Sequence, residues 1–283
     1  MNISIAKNAG FCFGVKRAVF ETYNTLLKTD KKVYSIGPLI HNEVVTNDLK
    51  DKGLCEISDI EDIKALKNEL VIIRTHGTLK SIEDILTENK NKIIDLTCPF
   101  VRKIHTLVSD YGKKGYKVIL IGDKNHPEVE GIVSRATGDI FVIIDESEIN
   151  SLKIDKNDKV LIVFQTTTNA SNAQKLVDIL RDLFYNNKIV NTICDATQKR
   201  QDEVRDLAKV SDVMLIIGSK TSSNTKKLYE ISKENCENSY LLSCVSDTSS
   251  ISIKNDAKVG VSAGASTPEY LIEEIINNVR NEF

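Results

Sequence analysis

Cys12, Cys98 and Cys194 stand 86 and 96 residues apart, each where an apolar, strand-like stretch gives way to a helical pattern carrying basic residues. The local sequences are GFCFGVKRAV, TCPFVRKIH and ICDATQKRQ. Offsets recur after each thiol: His41, His126 and Ser222 follow by 28 or 29 residues, and His76, Thr166 and Ser266 by 64, 68 and 72. A threefold repeat with one cysteine per copy predicts three modules around an axis, with three thiolates converging on it. Thiolate is the form that binds metal, and helix N-termini favour anions. Three soft sulfur ligands suit zinc or iron–sulfur chemistry. The CxxC pairs of structural zinc sites and ferredoxins are absent. Remote cysteines converging from three modules more naturally hold one [4Fe–4S] cluster, its fourth iron open to substrate. Such an iron acts as a Lewis acid while the cluster delivers electrons. Any one of these cysteines alone reads as a buried structural residue; the shared setting separates them from Cys55, Cys236 and Cys244, which fall outside the repeat and read as small core or half-buried hydrophobes.

Six polar loops follow six apolar runs: IGPLIHNE, IIRTHG, LIGDKNHPE, FQTTTN, IIGSKTSSN and VSAGAST. In parallel α/β sheets, ligands bind beyond the carboxyl ends of strands. Three of the four histidines lie here, His41, His76 and His126, with Ser222, Ser223, Asn224 and Ser266. Histidines, hydroxyls, an amide and helix N-termini suit a phosphate or diphosphate. Each loop also has a local reading: Ser222-Ser223-Asn224 as a helix N-cap, and Ser266-Thr267-Pro268-Glu269 as a helix start. No GxxxxGK[ST] loop is present, which disfavours nucleoside triphosphate hydrolysis. Glu128 follows His126-Pro127 at a helix start and is the candidate proton donor, with Thr166 and His126 as members of one network. His105 lies inside the helix after Cys98 and reads as a structural or supporting residue.

These loops need strands and helices to hold them. Strands are expected at 32–36, 70–73, 92–95, 117–121, 141–144, 159–164, 188–192, 213–217, 240–242 and 258–261, and the N-terminus reads as strand, loop and helix. Several are continuous apolar runs, as in parallel strands covered on both faces. Helical spacing places Val101, Ile104, Val108 and Tyr111 on one face. It does the same for Ala173, Leu176, Leu180 and Leu183, and for Leu271, Ile272, Ile275 and Val279. The alternation predicts an α/β fold of three modules with mainly parallel sheets, bounded at 1–90, 91–186 and 187–283.

Composition bounds the partners. The 283 residues are 41% hydrophobic, and net charge is −2. No broad basic surface is implied, which argues against nucleic acid and anionic membranes as partners. No apolar run approaches the roughly 18 residues of a membrane span, and the N-terminus lacks the order of a signal peptide. The expected location is the cytoplasm, with reduced thiols.

Taken in order, GFCFGVKRA, TCPFVRKIH, GDKNHPEVEG, QTT, ICDATQKRQ, GSKTSSN and SAGAST resemble the 4-hydroxy-3-methylbut-2-enyl diphosphate reductase (LytB) family, the last enzymes of the methylerythritol phosphate route to isoprenoids. The motifs span residues 10 to 268. The resemblance implies a trefoil of three α/β modules around a central iron–sulfur cluster. It makes Cys12, Cys98 and Cys194 the cluster ligands and Glu128 the proton donor. His41, His76, His126, Thr166, Ser222, Ser223, Asn224 and Ser266 become substrate-binding positions. It further implies an allylic diphosphate substrate and a ferredoxin or flavodoxin as electron donor. RTHG carries a threonine where a smaller residue is expected, and QTT is followed by Thr168 and Asn169, so the pocket's shape departs slightly from the family pattern. Rival readings are a quinolinate-synthase-like lyase, a non-catalytic iron–sulfur sensor of a phosphorylated metabolite, and a zinc hydrolase.

Overall fold

The computed structural model describes residues 1–282. In chain order the elements are β1 (Asn2–Ile5), α1 (Phe13–Lys28), β2 (Val33–Ile36), α2 (Glu43–Asp51), β3 (Leu54–Ile57), α3 (Ile60–Ala65), β4 (Leu70–Ile73), α4 (Lys80–Glu88), β5 (Lys92–Asp95), α5 (Pro99–Lys113), β6 (Lys117–Ile121), α6 (Pro127–Val133), β7 (Ile140–Ile143), β8 (Lys159–Phe164), α7 (Ala170–Leu183), β9 (Asn186–Ile189), α8 (Asp195–Ala208), β10 (Val213–Ile217), α9 (Ser223–Asn235), β11 (Ser239–Leu242), β12 (Lys258–Ala263) and α10 (Glu269–Glu282).

The strands form three four-stranded parallel sheets, ordered β3-β2-β4-β5, β7-β6-β8-β9 and β11-β10-β12-β1. One topology is therefore repeated three times. The third copy borrows its outer strand from the N-terminus: β1 pairs with β12, Asn2 opposite Lys258. Each cysteine follows the fourth strand of a sheet, Cys98 after β5, Cys194 after β9 and Cys12 after β1. The repeats are thus offset from chain order by one strand, and β5 and β9 pair with strands that precede residues 90 and 186. The division at 1–90, 91–186 and 187–283 stands as a proposal about how the copies are counted.

The chain forms two compact units, residues 1–16, 40–49 and 195–283, and residues 17–39 and 50–194. The first holds the β1/β10–β12 sheet; the second holds the other two. In the first, α10 packs Leu271, Ile272, Ile275 and Val279 against Val259, Val261 and Ala263 of β12. In the second, the β6–β9 sheet is covered on both faces. Ile104 and Val108 of α5 and Val129 and Ile132 of α6 meet Val118, Leu120, Leu161 and Val163. Ala173, Leu176, Val177 and Leu180 of α7 meet Ile119, Ile121, Val160, Ile162 and Phe164. Successive strand residues thus feed opposite faces, which is why these strands read as unbroken apolar runs. Each such side chain, removed from water, contributes about 1.5–3 kcal/mol. This packing fixes the strand ends, and the polar loops start there.

Candidate active site

The three cysteines share one local architecture. Each is the residue before a helix: Cys12 before α1, Cys98 before α5, Cys194 before α8. Each donates its backbone N–H to the carbonyl two residues beyond the third strand of its sheet: Cys12 to Ala265 (3.1 Å), Cys98 to Thr75 (2.9 Å) and Cys194 to Thr166 (3.0 Å). All three thiols are half-buried and free of disulfides. The Cys12 Sγ accepts the Val15 N–H at 3.5 Å, from the first turn of α1. Cys98 makes no side-chain cap to α5. Unbridged sulfurs at helix starts, with backbones pinned, fit a soft metal group. The other cysteines make local contacts: Cys236 is buried with its Sγ 3.6 Å from the Ser211 carbonyl, Cys55 lies 3.9 Å from the Gly53 carbonyl, and Cys244 lies 3.1 Å from the Ser246 hydroxyl.

The basic residues after the cysteines have a role that the sequence does not reveal. Arg17 Nη2 donates to the carbonyls of Leu96 (3.1 Å) and Thr97 (2.9 Å), just before Cys98. Arg200 Nη2 donates to the carbonyl of Gly10 (2.6 Å), two residues before Cys12. A guanidinium is a forked, permanently charged donor, and here it clasps a cysteine-bearing loop.

Within the second unit, Glu128, Thr166, His126 and His76 cluster at the ends of β4, β6 and β8. Glu128 is 1% exposed. One carboxylate oxygen, Oε1, accepts the Thr166 N–H at 2.7 Å; the other, Oε2, accepts the Thr166 hydroxyl at 2.7 Å. Burial lifts the Glu128 carboxyl above the usual carboxylate range, against the pull of both Thr166 bonds. His126 caps α6, its Nδ1 accepting the Glu128 N–H at 3.1 Å. That bond leaves the neutral ring's proton on Nε2. The His76 ring meets the His126 ring edge-to-face, centroids 5.4 Å apart. His105 is buried, and desolvation followed by Arg135 lowers its pKa to about 3, so it is a neutral imidazole. It fills space under the His76 loop: a Cβ on Gly77 would lie 3.1 Å from its Cε1. The hydrogen-bond register refines the repeat. Thr166 matches Thr75 and Ala265 by its bond to a cysteine, so Thr167, one residue on, is the counterpart of His76 and Ser266.

In the first unit, Ser222 caps α9, accepting the Thr225 N–H at 3.3 Å. Ser223 is the first residue of α9, and Asn224 sits on the same first turn, buried. Neither amide atom of Asn224 has a hydrogen-bond partner among the described residues. Ser266 Oγ donates to the His41 carbonyl at 2.8 Å. His41 is followed by Asn42, which caps α2 through the Val45 N–H (3.2 Å). The local cap readings of the Ser222 loop are therefore correct, and they leave Asn224 with unused donors and an unused acceptor.

A model of the LytB protein family matches residues 3–280. A protein of Caldanaerobacter subterraneus subsp. tengcongensis named 4-hydroxy-3-methylbut-2-enyl diphosphate reductase is 40% identical over 282 residues, covering 99% of this chain and 97% of that protein. One of the same name from Campylobacter fetus subsp. fetus is 42% identical over 282 residues, covering 99% and 98%. Among solved structures, the E-1-hydroxy-2-methyl-but-2-enyl-4-diphosphate reductase of Plasmodium falciparum has a TM-score of 0.92 at 30% identity, over 98% of this chain and 87% of that one. A second, (E)-4-hydroxy-3-methyl-but-2-enyl diphosphate reductase, called the terminal enzyme of the non-mevalonate pathway, has a TM-score of 0.71 at 39% identity, over 99% of each chain.

Proposed function

The chain belongs to the LytB protein family, and from that premise we propose that it reduces 4-hydroxy-3-methylbut-2-enyl diphosphate to isopentenyl and dimethylallyl diphosphate, ending the methylerythritol phosphate route. Per turnover, two electrons and two protons enter, the allylic C–O bond breaks, its oxygen leaves as water and one hydrogen is added to carbon. The observation that carries this reading is the thrice-repeated setting of Cys12, Cys98 and Cys194, unbridged and tied by the N–H to a loop carbonyl. Those three residues would hold a [4Fe–4S] cluster, whose chemistry when bound is electron delivery and Lewis acidity at one iron without a protein ligand.

The chain's own residues bind, orient and supply protons. His41, His76, Ser222, Ser223, Asn224 and Ser266 are assigned to the diphosphate; the first-turn N–H groups of α9 favour an anion there. Binding energy at this remote end orients the reacting end. Glu128 is the acid. Its Oε1 is committed to the Thr166 N–H, so a proton on Glu128 belongs on Oε2. Oε2–H then donates to Thr166 Oγ1, reversing the bond seen with the carboxylate, and frees the Thr166 hydroxyl to donate onward. His126, with Nδ1 occupied, serves as an N–H donor through Nε2. Protonation at either end of the allylic skeleton gives the two products.

A ferredoxin or flavodoxin is the proposed electron donor, since the sequence has no nucleotide or flavin fingerprint. The proposed location is the cytoplasm; no helix among the described residues is long and apolar enough to cross a membrane. Anaerobic purification with iron and sulfide analysis, and electron paramagnetic resonance of the reduced protein, tests the reading. About four irons and four sulfides per chain, with a spectrum that changes on adding the hydroxy diphosphate, are expected. Zinc, or no metal after reconstitution, would return the cysteines to a structural role.

A further inference from the structure

Gln165 follows β8 and precedes Thr166. Its backbone is fully used: the N–H donates to the Ile121 carbonyl (2.8 Å) and the carbonyl accepts the Thr168 N–H (3.1 Å). Its side chain is buried, and Oε1 accepts the Asp123 N–H at 3.0 Å. A backbone N–H can only face the amide oxygen, so this bond fixes which way the amide points. The Nε2 group faces away, shielded from solvent, with no hydrogen-bond partner among the described residues. Buried amide donors are nearly always paired, and an unpaired one is costly to retain where an apolar side chain of the same volume would fit.

Gly122 makes room for the Gln165 side chain as a whole. A Cβ on Gly122 would lie 2.8 Å from the Gln165 Cβ and 2.9 Å from its Oε1. The backbone of Gly122 is outside the positive-φ region, so the glycine supplies room rather than a special dihedral. The repeat does not dictate the amide either. The residues directly after β4 and β12, equivalent by place, are Arg74 and Gly264. Only the sheet that carries Glu128 has a glutamine there. Its neighbour Thr166 bonds Glu128 through its N–H and hydroxyl and Cys194 through its carbonyl.

We propose that Gln165 is a further ligand-contacting residue of this site, its Nε2–H₂ donating to an electron-rich acceptor that the chain itself does not supply. The inference rests on the reductase reading, under which two sources offer that chemistry: a sulfide of the cluster and an oxygen of the bound substrate. Gln165→Met keeps the volume and removes both polar atoms. Gln165→Glu keeps the acceptor for the Asp123 N–H and replaces the donor by an oxygen.

The experiment starts with the wild-type holoenzyme. Absence of both cluster and turnover there would overturn the reductase reading. With wild type active, the variants are reconstituted, and their substrate dissociation constant and cluster midpoint potential are measured beside the melting temperature of the metal-free protein. Metal-free Gln165→Met is expected to melt below wild type, because it also removes the acceptor of the Asp123 N–H. If the acceptor is substrate, Gln165→Met binds the hydroxy diphosphate about tenfold more weakly at unchanged potential, and Gln165→Glu more weakly still. If it is a sulfide, the midpoint potential falls in both variants, further in Gln165→Glu, at unchanged affinity. Variants that load with iron as wild type does and match it in both affinity and potential would overturn the proposal.

Discussion

Replacing Glu128 by glutamine isolates its proton. A glutamine amide can reproduce both hydrogen bonds of the carboxylate: its oxygen accepts the Thr166 N–H and its nitrogen donates to the Thr166 hydroxyl. Geometry and burial are kept while the transferable proton is lost. A positioned general acid contributes about 10²–10⁴ in rate, or roughly 3–5 kcal/mol of barrier, so kcat should fall by that factor with KM little changed. Stability should move the other way. Burial raises the Glu128 pKa above that of a free carboxyl. A group whose pKa is higher folded than unfolded binds its proton more tightly in the folded state. Its stabilisation is full below the unfolded pKa and is lost as pH rises through the folded one. Glutamine suffers no such loss. The melting temperature of Glu128→Gln relative to wild type should therefore climb as pH is raised above about 4.5. The assays are anaerobic turnover of iron-replete protein and thermal unfolding across pH 5–8. A variant turning over within threefold of wild type would refute the acid role, and a melting difference that does not vary with pH would refute the raised pKa.

Other substitutions probe the remaining parts. Cys98→Ser should purify with a lost or degraded cluster and almost no turnover, read by iron and sulfide content; full iron and full activity would remove Cys98 as a ligand. Thr166→Val strands the Oε2 of Glu128 in a buried setting and should cost about 1–3 kcal/mol in unfolding free energy, whereas Thr166→Ser keeps the hydroxyl and should recover most of it by chemical denaturation. Arg17→Met removes two charge-assisted bonds to the loop before Cys98 and should cost about 1.5–3 kcal/mol, with faster loss of iron in air; unchanged iron retention would make the clasp irrelevant to the cysteine. Asn224→Ala should weaken diphosphate binding without lowering the melting temperature, because neither amide atom is used by the protein alone. Calorimetric titration and a melt decide it.

The parts of the fold legible in the sequence are those fixed by burial on both faces of a sheet. Leu70–Ile73, Lys117–Ile121, Lys159–Phe164 and Val213–Ile217 lie where the apolar runs place them. Edge strands are legible only where a short apolar pair marks them, as Ile93-Ile94 does in Lys92–Asp95. Leu54–Ile57 is mostly half-buried, mixed in composition and carries no strong run, so no periodicity marks it. The strand expected at 188–192 instead occupies Asn186–Ile189, because ladder bonds to β8 hold the two asparagines, while Thr192 leaves the ladder and bonds the Phe164 backbone through its hydroxyl. Pairing of β1 with β12 joins the two ends of the chain, and periodicity carries no signal for it. At the site, His126-Pro127-Glu128 reads correctly as a helix start because proline and an acid belong there. The Thr166 hydroxyl meets Glu128 as the offset from Cys98 predicts, although the hydrogen-bond register makes Thr167 the counterpart of His76 and Ser266. The clasps of Arg17 and Arg200 were hidden: a basic residue on a helix announces its charge but not which carbonyls it will reach.

The most direct test is anaerobic turnover of the hydroxy diphosphate by iron-replete protein supplied with a low-potential one-electron reductant, with products separated and electrons counted. The account predicts isopentenyl and dimethylallyl diphosphate together, two electrons consumed per molecule formed. Substrate recovered unchanged from protein holding about four irons and four sulfides would contradict it.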